Sequence, residues 1–174
     1  MLDSMLGALH LIVTPAGDLG AEFNEEGKLI QLIRFHGTPP PPPEGPIPRS
    51  LPFLKRQLEA YFSGNLRDFN IPMVAEGTEF QQRVWKELLK IPYGQAISYL
   101  ELARRLGDEK CIRAAARANG ANPISILIPC HRVIGSDGSL VGYGGGLDMK
   151  ECLLRLEGVL PKAPPQPRLP LEWD

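Results

Sequence analysis

The sequence predicts an α/β protein of the α+β kind, made of two small units. Three apolar runs separated by turn-forming residues stand near the N-terminus, and they predict a small antiparallel sheet. Further along the chain, two short helical segments are joined by a glycine turn, which is the pattern of a helix-turn-helix. After them, an apolar run ends in proline, cysteine and histidine, and we expect the chemistry of the protein there.

The first unit is assigned to residues 1–76. Its apolar runs, 9–13, 19–23 and 29–35, are separated by segments rich in Pro, Gly, Asp and Asn, which favour tight turns. A Pro-rich loop at 39–48 contains five consecutive prolines and predicts a stiff spacer, more readily than a ligand for an SH3-like domain. Apolar residues then recur at helical spacing from Ser50, the expected N-cap, to Phe62, and this helix is expected to cover the sheet.

The second unit is assigned to residues 77–158. Thr78 and Gln81 form a capping-box pattern that begins a helix running to about residue 90. A second such pattern begins with Ser98, and its helix ends near Gly107.

A third helix, capped by Asp108, carries Arg113 and Arg117 and completes the helix-turn-helix pattern. Short helix pairs are also common in proteins that never touch DNA, so this pattern alone leaves both interpretations open. A last helix is expected from about residue 148 to 157, and a Pro-rich tail occupies 159–174.

Composition limits the classes of function. The chain has no apolar run long enough to span a membrane and no basic, apolar leader at its start, so we expect a cytoplasmic protein that makes no membrane contact. Its three cysteines form no C-x-x-C pair, so neither a disulfide framework nor a metal site is predicted. The formal net charge is -1, which is unusual for a DNA-binding protein. Between Arg104 and Arg132, however, six basic residues stand against two acidic ones, which predicts one basic face.

The centre of the predicted site is Cys130. The preceding run 126–128 is expected to form a short buried strand that holds the thiol in place. His131 can act as a base, and Arg132 adds positive charge, so both are expected to favour the reactive thiolate. The alternative is a buried structural cysteine, which is the commoner fate of a lone cysteine.

The segment Pro129-Cys130-His131-Arg132-Val133 resembles the active-site signature of the methylated-DNA–protein-cysteine methyltransferases, also called 6-O-alkylguanine-DNA alkyltransferases. The resemblance extends over roughly residues 76–158. It includes Arg113-Ala114, Asn122-Pro123, Gly142-Tyr143, Gly145-Gly146-Leu147, Lys150-Glu151, Leu153-Leu154 and Glu157-Gly158.

This resemblance implies a winged-helix-like second unit and a single-turnover DNA repair enzyme without a cofactor. The alkyl group on guanine oxygen 6, and possibly on 4-O-methylthymine, would pass irreversibly to Cys130 after the base is flipped out of double-stranded DNA from the minor groove. His131 would connect the thiol, through a water, to Glu157, and Tyr99 would protonate the leaving guanine. Arg113 would fill the space of the flipped base.

The resemblance also assigns supporting roles. The remaining DNA-binding candidates are Tyr99, Ala114, Asn122, Arg117 and Arg132. The candidates for the substrate pocket are Val141, Tyr143, Gly144, Gly145 and Lys150. A monomer is expected. The alkyl-group preference and any regulatory role are left open.

Two departures from the family pattern stand out. Ala116 lies where the family usually has glycine, and the first unit lacks the cysteine and histidine set that some members use for structural zinc. Two other functions therefore stay open. One is a non-enzymatic protein that binds alkylated bases and recruits other repair factors, although its relatives replace the cysteine. The other is a cysteine hydrolase, which is disfavoured because the cysteine and histidine are adjacent and no oxyanion loop precedes a helix.

Overall fold

The computed structural model describes residues 9–39 and 41–162 of the 174-residue chain. The predicted tail from residue 163 onward, one proline of the Pro-rich loop and the first eight residues lie outside the described residues.

The predicted N-terminal sheet is confirmed. Strands β1 (His10–Ile12), β2 (Leu19–Phe23) and β3 (Leu29–Arg34) form an antiparallel sheet in the order β1-β2-β3. Helix α1 (Leu51–Phe62) follows the Pro-rich loop. Its apolar face and the inner face of the sheet belong to one core, so the helix covers the sheet as expected. The fully buried residues of the two faces include Leu19, Ala21, Leu29, Leu32, Leu54, Leu58 and Tyr61.

Ser50 occupies the N-cap position of α1 as predicted, but its side chain does not cap the helix. Ser50 precedes α1, but its hydroxyl makes no capping bond and its backbone is already helical. The hydroxyl instead donates to the carbonyl of Gly27 over 2.6 Å. It therefore joins the start of α1 to the β2–β3 turn.

The second unit begins with α2 (Glu79–Leu88), whose Thr78 and Gln81 form the complete capping box. Helix α3 (Tyr99–Arg105) follows the two-residue strand β4 (Ile97–Ser98), and here only half of the predicted box exists, since Ser98 accepts from the Glu101 backbone. A 3₁₀ turn (Glu109–Cys111) then leads into α4 (Ile112–Gly120). The order is thus a helix, a tight turn and a second helix that carries Arg113 and Arg117.

The remaining elements enclose the cysteine. Residues Cys130–Arg132 form a second 3₁₀ turn, which continues into β5 (Val133–Ile134), a parallel partner of β4. Helix α5 (Leu147–Leu156) packs behind this turn. The indole nitrogen of Trp85 in α2 donates to the carbonyl of Ala118 in α4 over 2.9 Å, which fixes α4 beside the same region.

One hydrophobic core includes residues of both units. The backbone of Leu32 in β3 accepts from Ser125 over 2.9 Å and donates to Pro123 over 2.8 Å. The last strand of the sheet therefore supports the segment that leads to Cys130. No helix of the described residues is long and apolar enough to cross a membrane.

Candidate active site

The segment before the cysteine is buried as predicted, but it is not a strand. Ser125 and Ile128 bridge each other around a tight turn, and the φ angle of Ile126 is 72°. This left-handed conformation is costly for a β-branched residue. It places Ile128 so that its carbonyl accepts from the Cys130 backbone over 2.8 Å, and the thiol is therefore held by a bent segment.

Asn122 holds this turn and the thiol together. Its Nδ2 donates to the Ile128 carbonyl over 2.8 Å and lies 3.0 Å from Cys130 Sγ, while its Oδ1 accepts from the Ile124 backbone over 3.0 Å. These contacts order the turn before Cys130 and link it to the thiol, so Asn122, which the resemblance placed among the DNA-binding candidates, lies at the thiol itself.

The thiol of Cys130 is neutral in the resting protein. Burial raises its pKa to about 11, against smaller opposing effects of the Asn122 hydrogen bond and the Lys150 charge. The loss of hydration outweighs the nearby positive charge, and the opposing effects come from Asn122, Lys150 and the local backbone more than from the side chains of His131 and Arg132. Reaction requires a base that removes the proton.

His131 is the candidate for this base. Its ring is fully buried, and Nε2 lies 2.9 Å from Oε1 of Glu157. Burial alone would raise the pKa of Glu157, but hydrogen bonds from His131 and Arg132 lower it to about 2, so this carboxylate only accepts. Nε2 must therefore carry the proton of the neutral ring. Nδ1 keeps a free lone pair and has no hydrogen-bond partner among the described residues.

Arg132 does not lie on the predicted DNA-binding face, and that assignment is corrected. Its side chain is only 8% exposed. Its Nε and Nη2 donate to the two oxygens of Glu157 over 2.8 and 2.9 Å, and Nη1 donates to the Ile91 carbonyl over 2.6 Å. Arg132 thus neutralises the buried carboxylate and cannot reach a phosphate.

Tyr99 and Lys150 line the other side of the thiol. Tyr99 Oη lies 3.3 Å from the carbonyl of Val141 and 3.4 Å from Nδ2 of Asn119. Lys150 is fully buried, and its Nζ donates to the carbonyls of Val133 and Val141 over 2.6 and 2.7 Å. Burial lowers the pKa of Lys150 to about 8. Tyr99 and Lys150 thus both contact the carbonyl of Val141, which begins the loop 141–146.

The pocket loop, residues 141–146, is also held by the N-terminal sheet. Arg34, at the end of β3, donates to the carbonyl of Gly145 over 2.8 Å and pairs with Asp148 at 2.7 Å. His36 Nε2 lies 3.3 Å from the carbonyl of Gly144. A side chain at position 145 would meet the ring of Tyr143 at 2.7 Å, so only glycine fits. Tyr143 Oη is buried and has no hydrogen-bond partner among the described residues.

The exposed basic surface is smaller than predicted. Arg104 and Arg105 are paired with Glu109 and Glu101. Arg113 and Arg117 are exposed on α4, and neither forms an ion pair within the part of the chain that the structure describes. Ala114 and Ala116 are half-buried on the same helix. Lys110, exposed in the turn before α4, also forms no ion pair among the described residues, so Lys110, Arg113 and Arg117 are the basic side chains of this surface that are available to phosphates.

Four residues at the site were not predicted from the sequence: Arg34, His36, Tyr61 and Asn119. Asn119 Nδ2 lies 3.3 Å from the Cys130 carbonyl, and Tyr61 Oη donates to Glu157 Oε1 over 2.7 Å. These contacts join residues distant in sequence, and no local pattern indicates them. Of the four, Asn119 could most readily have been predicted from the sequence, because a polar residue near the buried end of a helix needs a hydrogen-bond partner.

The fold and the site together define a class of protein. It is a small α/β protein with a pair of helices, the second of them basic, and a buried cysteine that is followed by the histidine of a histidine–glutamate pair. Residues 79–159 match the family model of the DNA-binding domain of 6-O-methylguanine DNA methyltransferase. The chain belongs to the methylated-DNA–protein-cysteine methyltransferase family.

Individual relatives agree with this assignment. The methylated-DNA–protein-cysteine methyltransferase of Methanosarcina acetivorans is 55% identical over 103 residues, which are 59% of this chain and 66% of the relative, so the aligned part spans just under two thirds of that protein. The enzyme of the same name from Mycolicibacterium paratuberculosis is 53% identical over 110 residues, 63% of this chain and 67% of the relative.

Solved structures match over nearly the whole chain. The crystal structure of Mycobacterium tuberculosis O6-methylguanine methyltransferase superimposes with a TM-score of 0.77 at 42% identity and covers 91% of this chain and 95% of its own. The Mycobacterium tuberculosis OGT in complex with DNA has the same TM-score at 43% identity, over 86% of this chain and 92% of its own.

Proposed function

We propose that this protein repairs DNA by moving an alkyl group from oxygen 6 of guanine onto Cys130, once per molecule. The observation that carries the proposal is the set of contacts at the thiol. Cys130 Sγ is held by Asn122, and the adjacent His131 is oriented by Glu157 with its basic nitrogen free. A structural cysteine needs no such neighbours.

The reaction balances with the residues at the site. The thiol proton passes through a water to Nδ1 of His131, and Sγ attacks the alkyl carbon. The new S–C bond forms as the C–O6 bond breaks, and the electron pair stays on the guanine. Tyr99 gives its proton to the guanine and recovers one from His131 through solvent. The product is a thioether, which is chemically stable, so each molecule acts once.

DNA is the proposed partner. Arg113 and Arg117 project from α4, where they can contact the backbone of a duplex. A base inside a duplex cannot reach a buried thiol, so the alkylated nucleotide must rotate out of the stack. We propose that Arg113 fills the space that the flipped base leaves. We also propose that the protein approaches the duplex from the minor groove. The three free cysteines are compatible with a reducing compartment such as the cytoplasm, and we propose a monomer.

The test uses a duplex that carries one 6-O-methylguanine, followed by intact-protein mass and peptide mapping. The expected result is a stoichiometric gain of one methylene on Cys130. Cys130→Ser should gain nothing and still bind DNA, whereas Cys152→Ser, which removes another free thiol, should react normally. Tight lesion binding without a mass gain would instead favour a lesion-binding protein, and turnover of an ester would favour a hydrolase.

A further inference from the structure

Tyr61 stands apart from the segment that matches the family model. It is the penultimate residue of α1, its side chain is fully buried, and the proposed reaction gives it no role. Its hydroxyl nevertheless donates to Oε1 of Glu157 over 2.7 Å. The N-terminal unit therefore contributes one polar contact to the histidine–glutamate pair.

The two carboxylate oxygens of Glu157 accept different numbers of hydrogen bonds. Oε2 accepts only from Arg132 Nε, over 2.8 Å. Oε1 accepts from Tyr61 over 2.7 Å, from His131 over 2.9 Å and from Arg132 Nη2 over 2.9 Å. Tyr61 and His131 thus compete for the same oxygen, and the Tyr61 bond is the shortest of the three.

We infer that Tyr61 is a positioning residue that limits the basicity of His131, because it donates to the Glu157 oxygen that holds the histidine. The inference deepens the proposed function and rests on it, since it concerns the base that prepares Cys130. A donor on a carboxylate withdraws negative charge from it, and a carboxylate with less charge stabilises a neighbouring imidazolium less. Removal of the Tyr61 hydroxyl should therefore make His131 a stronger base.

The other polar groups around the His131–Glu157 pair do not take over the effect of the Tyr61 hydrogen bond on the carboxylate. Arg132 holds both oxygens of the carboxylate and fixes its orientation, so the carboxylate stays in place without Tyr61. Lys150 and Arg132 both act against the imidazolium, and both are unchanged by a substitution in α1. Tyr93 lies near Glu157 but gives its hydroxyl to the Leu156 carbonyl over 3.1 Å, and Arg67 stands over its ring.

Tyr61 remains a donor throughout the accessible pH range. Burial, followed by the charge of Glu157, raises the pKa of its hydroxyl far above the ordinary value. Any change in the pH profile after substitution therefore reports on His131 and Cys130 and not on titration of Tyr61.

The experiment measures the rate of iodoacetamide modification of Cys130 against pH, by peptide mapping, in the full-length wild type and in Tyr61→Phe. The substitution keeps the ring, which packs against Phe69 and Tyr93, and removes only the hydroxyl. We expect the profile to move to lower pH by roughly half a unit, or about threefold faster modification near neutrality. Two or three hydrogen bonds together lower the pKa of a carboxylate by about two units, so one bond changes it by less than about one unit. Only part of that change in the carboxylate alters the pKa of His131, which gives the expected shift.

Tyr93→Phe is the matched control. This substitution also removes a tyrosine hydroxyl near the His131–Glu157 pair. That hydroxyl donates to a backbone carbonyl and not to the carboxylate. Its profile should coincide with that of the wild type.

An unchanged profile in Tyr61→Phe would overturn the inference and leave Tyr61 a packing residue. A profile moved to higher pH would also overturn it, since that result means that Tyr61 orients Glu157. If Tyr61→Phe does not fold, 3-fluorotyrosine placed at position 61 keeps the packing and donates more strongly, and the expected shift is then to higher pH. The assay needs no DNA, so a failure of methyl transfer from DNA is separately visible and would overturn the proposed function alone.

Discussion

Glu157→Gln should destabilise the protein by about 3–5 kcal/mol at neutral pH. The substitution keeps the shape of the side chain but removes its charge, which leaves Arg132 as an uncompensated buried cation, and breaking a buried ion pair in this way typically costs that amount. The Gln side chain also cannot accept from all the donors that now surround the carboxylate.

The acid dependence of stability gives an independent magnitude. Burial alone would raise the pKa of Glu157 above its ordinary 4.5, but its donors lower it to about 2 in the folded protein. At 1.36 kcal/mol per pKa unit, the ionised carboxylate contributes about 3 kcal/mol. Because the folded pKa is the lower one, this contribution is fully present above pH 4.5 and is lost as the pH falls towards 2. About 2 kcal/mol of it should be gone at pH 3.

Urea unfolding at pH 7 and pH 3 tests this reasoning. The difference in free energy of unfolding between wild type and Glu157→Gln should shrink by about 2 kcal/mol between the two pH values. Glu151→Gln is the matched control, since Glu151 forms an exposed ion pair with Arg155 in α5 and should matter by less than about 1 kcal/mol. A difference that stays constant with pH would show that Glu157 is not an ionised, paired carboxylate in the folded protein.

Three further outcomes are expected. Arg113→Ala should slow repair of duplex DNA far more than reaction with the free alkylated base, because the free base leaves no space to fill; equal slowing in a transfer assay would place Arg113 in the fold or the pocket. Asn122→Ala should slow iodoacetamide modification of Cys130 and cost about 1–3 kcal/mol in thermal unfolding, because the thiol and the Ile128 carbonyl lose a donor and the Ile124 backbone loses its acceptor. DNA binding by the wild type should weaken steeply with salt, while Arg117→Ala should lower that slope by about one in a salt titration.

The regular elements could be predicted because their signals are local. The turn residues at 14–18 and 24–28 delimit three strands, and the capping pair of Thr78 and Gln81 begins α2 where expected. Ser50 shows where local signals fail. A hydroxyl before a helix can cap it or bond elsewhere, and the carbonyl of Gly27, 23 residues away, accepts the bond instead. Only the packing of α1 on the sheet decides between the two.

The segment before the cysteine was misassigned for a related reason. Three apolar residues indicate burial, and all three are buried, but burial does not determine dihedral angles. The bridge between Leu32 and Ile124 and the hydrogen bonds of Asn122 force the turn at Ile126. A positive φ at a β-branched residue is a conformation that the surrounding structure must impose.

The charges at the site show the same limit. Arg132 follows the Cys-His pair in sequence, so its charge was expected to act on the thiol or on a phosphate. Its actual partner, Glu157, lies 25 residues away, and the third donor, Tyr61, lies 96 residues from that glutamate. The resemblance to the family indicated the pairing of His131 with Glu157, and the structure places the two in contact. It gave no sign of Tyr61, which belongs to the unit that it does not cover.

The burial of the thiol has a consequence for the proposed single transfer. Burial raises the pKa of Cys130 to about 11, so the thiol reacts more slowly with unrelated electrophiles than an exposed cysteine does. A cysteine that is permanently a thiolate would react with them and be lost. Nδ1 of His131 has no hydrogen-bond partner among the described residues, so under the proposed function it can take the proton when a substrate is positioned at Sγ. Under the proposed function, burial therefore keeps Cys130 inactive, and the histidine–glutamate pair lowers the cost of activating it.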